Sequence, residues 1–188
     1  MKHPPLGEPV NESATPPAAR STSAPSHHRH ARAAIVNTAA SMMYHHGIAA
    51  TSTGDVARAS GAEPKELHRH FRDKTELVQA VIDRELAVVL DGQDTTEAIT
   101  SWDGLERWVS RVVDAQPAED RPFACPLGTL ATDLKHSQEY RPALAAAFRI
   151  WEGHLAAGLR RIQQRGELDS DANPDRLAAS LVAALQGG

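Results

Sequence analysis

The segment from Ser52 to Lys74 constrains the fold more than any other part of the chain. Ser52 is a good N-cap, and Asp55 three residues on completes a capping box at the start of a helix. Ser60-Gly61 breaks that helix, with Gly61 free to take a positive φ. Pro64 suits the first turn of a next helix, where its missing N–H costs nothing. Leu67 and Phe71, four residues apart, form the buried edge of this short helix. Lys65, Glu66, Arg69 and His68 are left pointing outward. Two short helices joined by a tight turn, the second basic on its outer side, suit insertion of one helix into a DNA major groove.

The flanking sequence predicts an all-α protein. Alanine and leucine supply much of the 41% hydrophobic content, and runs of β-branched residues are nearly absent. The net charge of −4 argues against indiscriminate coating of nucleic acid. Residues 1–90 carry ten basic and nine acidic side chains, whereas residues 91–188 carry ten and fifteen. Only the first half is therefore suited to an anionic partner. A single cysteine, no secretory hydrophobic stretch and no apolar run of membrane-spanning length predict a cytoplasmic chain with no membrane partner.

Three regions are expected. Residues 1–30, rich in proline, read as a disordered arm whose end, Ser26-His-His-Arg-His30, is either a solvated tail or a minor-groove arm. Residues 31–77 read as the helix-turn-helix domain, with a first helix over about 32–46 capped by Gly47. Residues 78–188 read as a helical bundle. A fourth helix starts at Lys74 and runs to about Leu90, and four more cover about 102–115, 126–136, 141–165 and 174–186.

An ordered set of residues extends the argument: Ala39-Ala40, Gly47, Thr51-Ser52, Asp55-Val56-Ala57, Ala59 with Gly61, Leu67, His70-Phe71 and Lys74. Over Ile35–Leu77 this resembles the DNA-binding domain of the tetracycline-repressor (TetR) family. The remainder resembles that family's ligand-sensing domain, with Cys125-Pro-Leu-Gly128 similar to a stretch in one branch of small-molecule-responsive repressors. The resemblance implies a ligand-responsive repressor that binds palindromic double-stranded operator DNA as a homodimer held by its last two helices. A small apolar or amphipathic effector would release it. It also implies one helix beyond the final Gln186-Gly187-Gly188, so a last helix is expected to be lacking.

The chain departs from the family pattern where DNA is to be touched. Glu63 stands where Ser or Thr is usual, Lys65 replaces a small residue, His68 a Tyr, and Gly54 occupies a position that is often basic. These departures motivate an alternative: a helical protein-interaction module whose helix-turn-helix no longer reads DNA. For a DNA reader, Thr51, Ser52 and Thr53 combine capping with phosphate contact. Lys65 and Arg69, one turn apart, reach base edges together, and Glu66 accepts from a cytosine amino group. His68, His70 and Lys74 are expected at phosphates.

In the second domain, Trp108 and Val112, Leu130 and Leu134, and Phe148, Trp151 and Leu155 each share a helix face. These three faces, with His154 and Tyr140 as polar partners, are the expected effector site. The ten histidines include no zinc-ligand frame, so no metal and no cofactor are expected. Cys125 reads as a small residue before a helix, with redox sensing as the other option. The chain shows no nucleophile–base pair, carboxylate dyad or phosphate loop, so an enzyme is not expected.

Overall fold

The computed structural model describes residues 24–91, 99–114 and 125–187, and all regular structure among them is helical. The helices are α1 (Ala24–His46), α2 (Thr53–Ser60), α3 (Pro64–His70), α4 (Lys74–Asp91), α5 (Trp102–Asp114), α6 (Pro126–Asp133), α7 (Arg141–Gln164) and α8 (Pro174–Gly187).

The first helix differs from expectation. It starts at Ala24 instead of near Arg32, so residues 24–30 belong to α1 and not to a disordered arm. Pro25 falls in its first turn, where proline is tolerated, and alanines follow. Residues 1–23 lie outside the described residues. At the far end, Gly47 has φ 81° and donates its N–H to Met43 O at 2.9 Å, the left-handed cap its sequence position predicts.

Apolar residues recurring at helical spacing then stack into one core. Ile35, Val36, Ala39, Ala40 and Met43 of α1 meet Val56, Ala57, Leu67, Phe71 and the start of α4. Met42, at helical spacing with Ile35 and Ala39, is only partly buried. α4 is the spine: it packs on α1 and also on α6 and α7, and α7 pairs with α8. One rigid helix is thus shared by the helix-turn-helix and the C-terminal bundle. α6 also ends against the turn that follows α1, where Asp133 Oδ2 accepts from the Ile48 N–H at 3.3 Å.

Candidate nucleic-acid interface

The reading head is held by a few local devices. Ser52, with extended backbone (φ −92°, ψ 157°), accepts from the Asp55 N–H at 3.1 Å and donates its hydroxyl to Asp55 Oδ2 at 2.6 Å. Asp55 also pairs with Arg58 at 3.0 Å. The Ser52 hydroxyl bond, then Arg58, holds the Asp55 carboxyl below its usual range. Gly61, at φ 73°, stops α2 and turns the chain into α3. Leu67 and Phe71, each 1% exposed, anchor α3 to the core. Lys65, His68 and Arg69 are all exposed, and Glu66 is half-exposed. Glu63 caps α3 through its backbone alone: its carbonyl accepts from Leu67 N at 3.0 Å while its side chain makes no cap bond.

Three residues expected at DNA have other tasks. Thr51 is 1% exposed, and its hydroxyl donates to Gly47 O at 2.9 Å. It closes the α1–α2 turn from inside and presents nothing to a phosphate. Lys74 Nζ donates to Ile48 O at 2.6 Å and more weakly to Ala49 O at 3.4 Å. It ties the first turn of α4 to the same connection. His70 turns toward α1: its ring lies 4.1 Å from that of His28, and its Nδ1 is buried without a partner. Burial, followed by His28, pushes the His70 imidazole below its ordinary pKa of 6.5. His28, in the histidine-rich end read as either a solvated tail or a minor-groove arm, thus lies against the His70 ring of α3. Arg32 completes this contact, with its guanidinium 5.0 Å from the centre of the Phe71 ring.

Ser52, Thr53, Lys65, Glu66, His68 and Arg69 remain on accessible surface. His68 Nδ1 lies 2.7 Å from Pro64 O, which orients its ring along α3. Sequence reasoning missed Arg32, whose contact with Phe71 joins residues far apart in the chain, and Asp133, which no motif distinguishes.

The expected effector faces are packed together. Trp108, Leu130, Leu134, Trp151 and Leu155 are buried, while Phe148 and His154 are half-exposed. Phe148 and Trp151 stack with ring centres 6.3 Å apart. α6 and α7 both lie on α4, which brings their apolar faces into one core. Val112 belongs to α5 but its side chain, like Phe123, lies outside the described residues. A shallow hollow of about 500 Å³ lies elsewhere, on the polar side of α5 between Asp103, Glu106, Arg107, Ser110 and Arg111. Tyr140, the other proposed polar contact, reaches Thr75 at the start of α4 at 3.5 Å. Burial raises its hydroxyl pKa. Sequence reasoning also passed over Glu85, a carboxylate only 4% exposed within the apolar stripe of α4. A lone charge in such a stripe was the available signal. No group of three metal-ligating side chains occurs among the described residues, and no described helix is long and apolar enough to cross a membrane.

Comparison with known proteins agrees with this architecture. The family model for bacterial regulatory proteins of the tetR family matches residues 35–81, and that for the tetracyclin repressor-like C-terminal domain matches residues 102–188. The HTH-type transcriptional repressor ComR of Escherichia coli (strain K12) is 27% identical over 160 residues, spanning 83% of this chain and 76% of ComR. The HTH-type transcriptional regulator TtgR of Pseudomonas putida is 24% identical over 164 residues, spanning 83% and 77%. Among solved structures, reduced NemR of E. coli superposes with a TM-score of 0.74 at 14% identity, covering 83% of this chain and 84% of NemR. A regulatory protein TetR from Rhodobacter sphaeroides gives 0.66 at 20% identity, covering 81% and 83%. Such low identities speak for the fold alone. With both of its halves matched by models of one family, this chain belongs to the TetR family of transcriptional regulators.

Proposed function

We propose that the protein is a ligand-released transcriptional repressor that binds a palindromic operator as a homodimer. The observation that carries this reading is the presentation of α3. Leu67 and Phe71 fix its inner edge, and Lys65, His68 and Arg69 stand exposed along its outer side. Two such helices related by a dimer axis meet successive major grooves about one helical turn apart, ~34–36 Å.

In this reading Lys65 and Arg69 contact bases, with Glu66 beside them. Ser52, Thr53 and His68 approach the backbone. Residues 31–77 act as the reading head and 78–188 as the sensing and dimerisation unit, the division falling inside α4. Effector binding among the faces of α5, α6 and α7 shifts α4, on which α6 and α7 pack, and so the spacing of the two heads. That is a population shift, set by the ligand's preference for one state.

Electrophoretic mobility shift with DNA upstream of the protein's own gene and its neighbours tests the proposal. Sequence-preferring binding is expected at low salt, weakened about thirtyfold or more by Lys65→Ala with Arg69→Ala. Loss of two base contacts worth ~1–3 kcal/mol each sets that lower bound. Binding unchanged in the double variant would remove α3 as the reader.

A further inference from the structure

Two orphaned polar groups belong to adjoining helices, α4 and α7. Glu85 is 4% exposed. Its Oε1 pairs with Arg84 at 2.6 Å, while its Oε2 is buried without a partner. Trp151 is 1% exposed, and its indole N–H is buried without an acceptor.

Their placement follows from the packing of α7 on α4 and from two contacts. Tyr140 OH reaches Thr75 Oγ1 at 3.5 Å, so α7 sets out beside the start of α4. Further along, Gly158 lies against Ile99, eight residues past the end of α4. α4 and α7 therefore run side by side in the same direction. Glu85 is ten residues beyond Thr75, and Trp151 is eleven beyond Tyr140. At ~1.5 Å per residue the two are level. They also share faces with the contacting residues. Thr75, Val78, Ile82 and Glu85 fall on one stripe of α4, and Tyr140, Leu144, Ala147, Trp151 and Gly158 on one stripe of α7.

Leaving a buried polar atom unpaired is costly, and native interiors hold few of them. Here an acceptor and a donor are unpaired at one level of one seam. We propose that Glu85 and Trp151 form a polar seat for a neutral hydroxyl or carboxamide group on the effector. The proposal rests on the ligand-responsive function above and names the effector's chemistry. A hydroxyl or primary amide donates to the carboxylate and accepts from the indole N–H in one step. A hydrocarbon does neither. An ammonium only donates, and a carboxylate only accepts while meeting the charge of Glu85. The effector's apolar body then lies toward Phe148, half-exposed and stacked on Trp151. Because the seat is on α4, its occupant acts on the helix that follows α3 in the chain and packs on α1 of the head.

The test is calorimetric titration of the full chain with phenol and benzamide, using toluene, benzylamine and benzoate as comparators. Phenol and benzamide are expected to bind saturably in the millimolar range, at least fivefold more tightly than each comparator. Trp151→Phe keeps the ring's bulk and removes the N–H. It should weaken phenol at least fivefold and leave the unfolding midpoint unchanged or higher. Glu85→Gln should also weaken phenol and narrow its margin over benzoate, since the repelling charge is gone. Equal binding of phenol and toluene overturns the proposal. So does a Trp151→Phe protein with unchanged phenol affinity and a lowered midpoint, because the N–H would then be held by an ordered water only. A mobility shift without probe, run in parallel, separates the two claims. Intact DNA binding without phenol binding refutes the seat alone, whereas absent DNA binding refutes the repressor function.

Discussion

Replacing Lys74 by methionine separates two roles that predict opposite results. As a phosphate contact, Lys74 would add affinity for DNA and little stability. As a brace, it adds stability and little affinity. The structure favours the brace: Nζ sits 2.6 Å from Ile48 O and 3.4 Å from Ala49 O, bridging two segments 25 or more positions apart. The shorter bond involves a charged donor, a type worth ~1.5–3 kcal/mol. Water can reach the freed carbonyl and the longer bond is weak, so we take about 1.5 kcal/mol per chain, the low end of that range. For a chain of this size each kcal/mol moves the midpoint by ~2–4 °C, so Lys74→Met should melt about 3–6 °C lower. Methionine retains most of the apolar stem, which limits loss of packing. Urea unfolding measures the stability, and operator binding across a salt series measures phosphate contacts. Each neutralised phosphate adds ~0.9 to the slope of log affinity against log salt. The brace predicts a lower urea midpoint with that slope unchanged. A slope reduced by about that amount per head, with unfolding unaltered, would refute the reasoning.

Three further outcomes follow from the same geometry. Gly61→Ala meets no steric obstacle, since a Cβ there has nothing within 4 Å, but the φ of 73° strains any other residue. It should cost ~1–2 kcal/mol in thermal unfolding, and a neutral effect would show that the turn relaxes freely. His70 has a folded pKa below its ordinary 6.5, so the unfolded chain binds the extra proton and stability falls as pH drops from about that value toward the folded pKa. Midpoints measured from pH 7.5 to 5.5 should show this slope and His70→Phe should flatten it; an identical slope in the variant would assign the titration elsewhere. Asp133→Ala removes the acceptor for the Ile48 N–H, so hydrogen exchange at that amide should quicken. Unchanged protection would mean that α6 does not grip the α1–α2 turn through this bond.

The departures between sequence and structure share one cause. For Thr51, Lys74 and His28 the deciding fact is burial or a partner that folding supplies. Thr51 reads as a surface hydroxyl near a helix start until the turn after α1 folds over it. Lys74 reads as a basic residue beside the recognition helix until the carbonyls of Ile48 and Ala49 arrive under it. His28 reads as part of a proline-rich, polar stretch until α1 carries its ring to 4.1 Å from that of His70.

What the sequence determined by itself was local. Ser52 and Asp55 start α2, Gly61 stops it, Pro64 starts α3, and Leu67 with Phe71 sets which side of α3 is buried. Capping, turn geometry and helical periodicity act within a few residues, so they can be read along the chain. Only the tertiary structure decided which polar groups are free to meet a partner. It buried Thr51, occupied Lys74, turned His70 inward and left Glu85 and Trp151 each with an unpaired buried polar atom. Burial and hydrogen-bond satisfaction depend on what the remaining helices place alongside, and no local pattern carries that information.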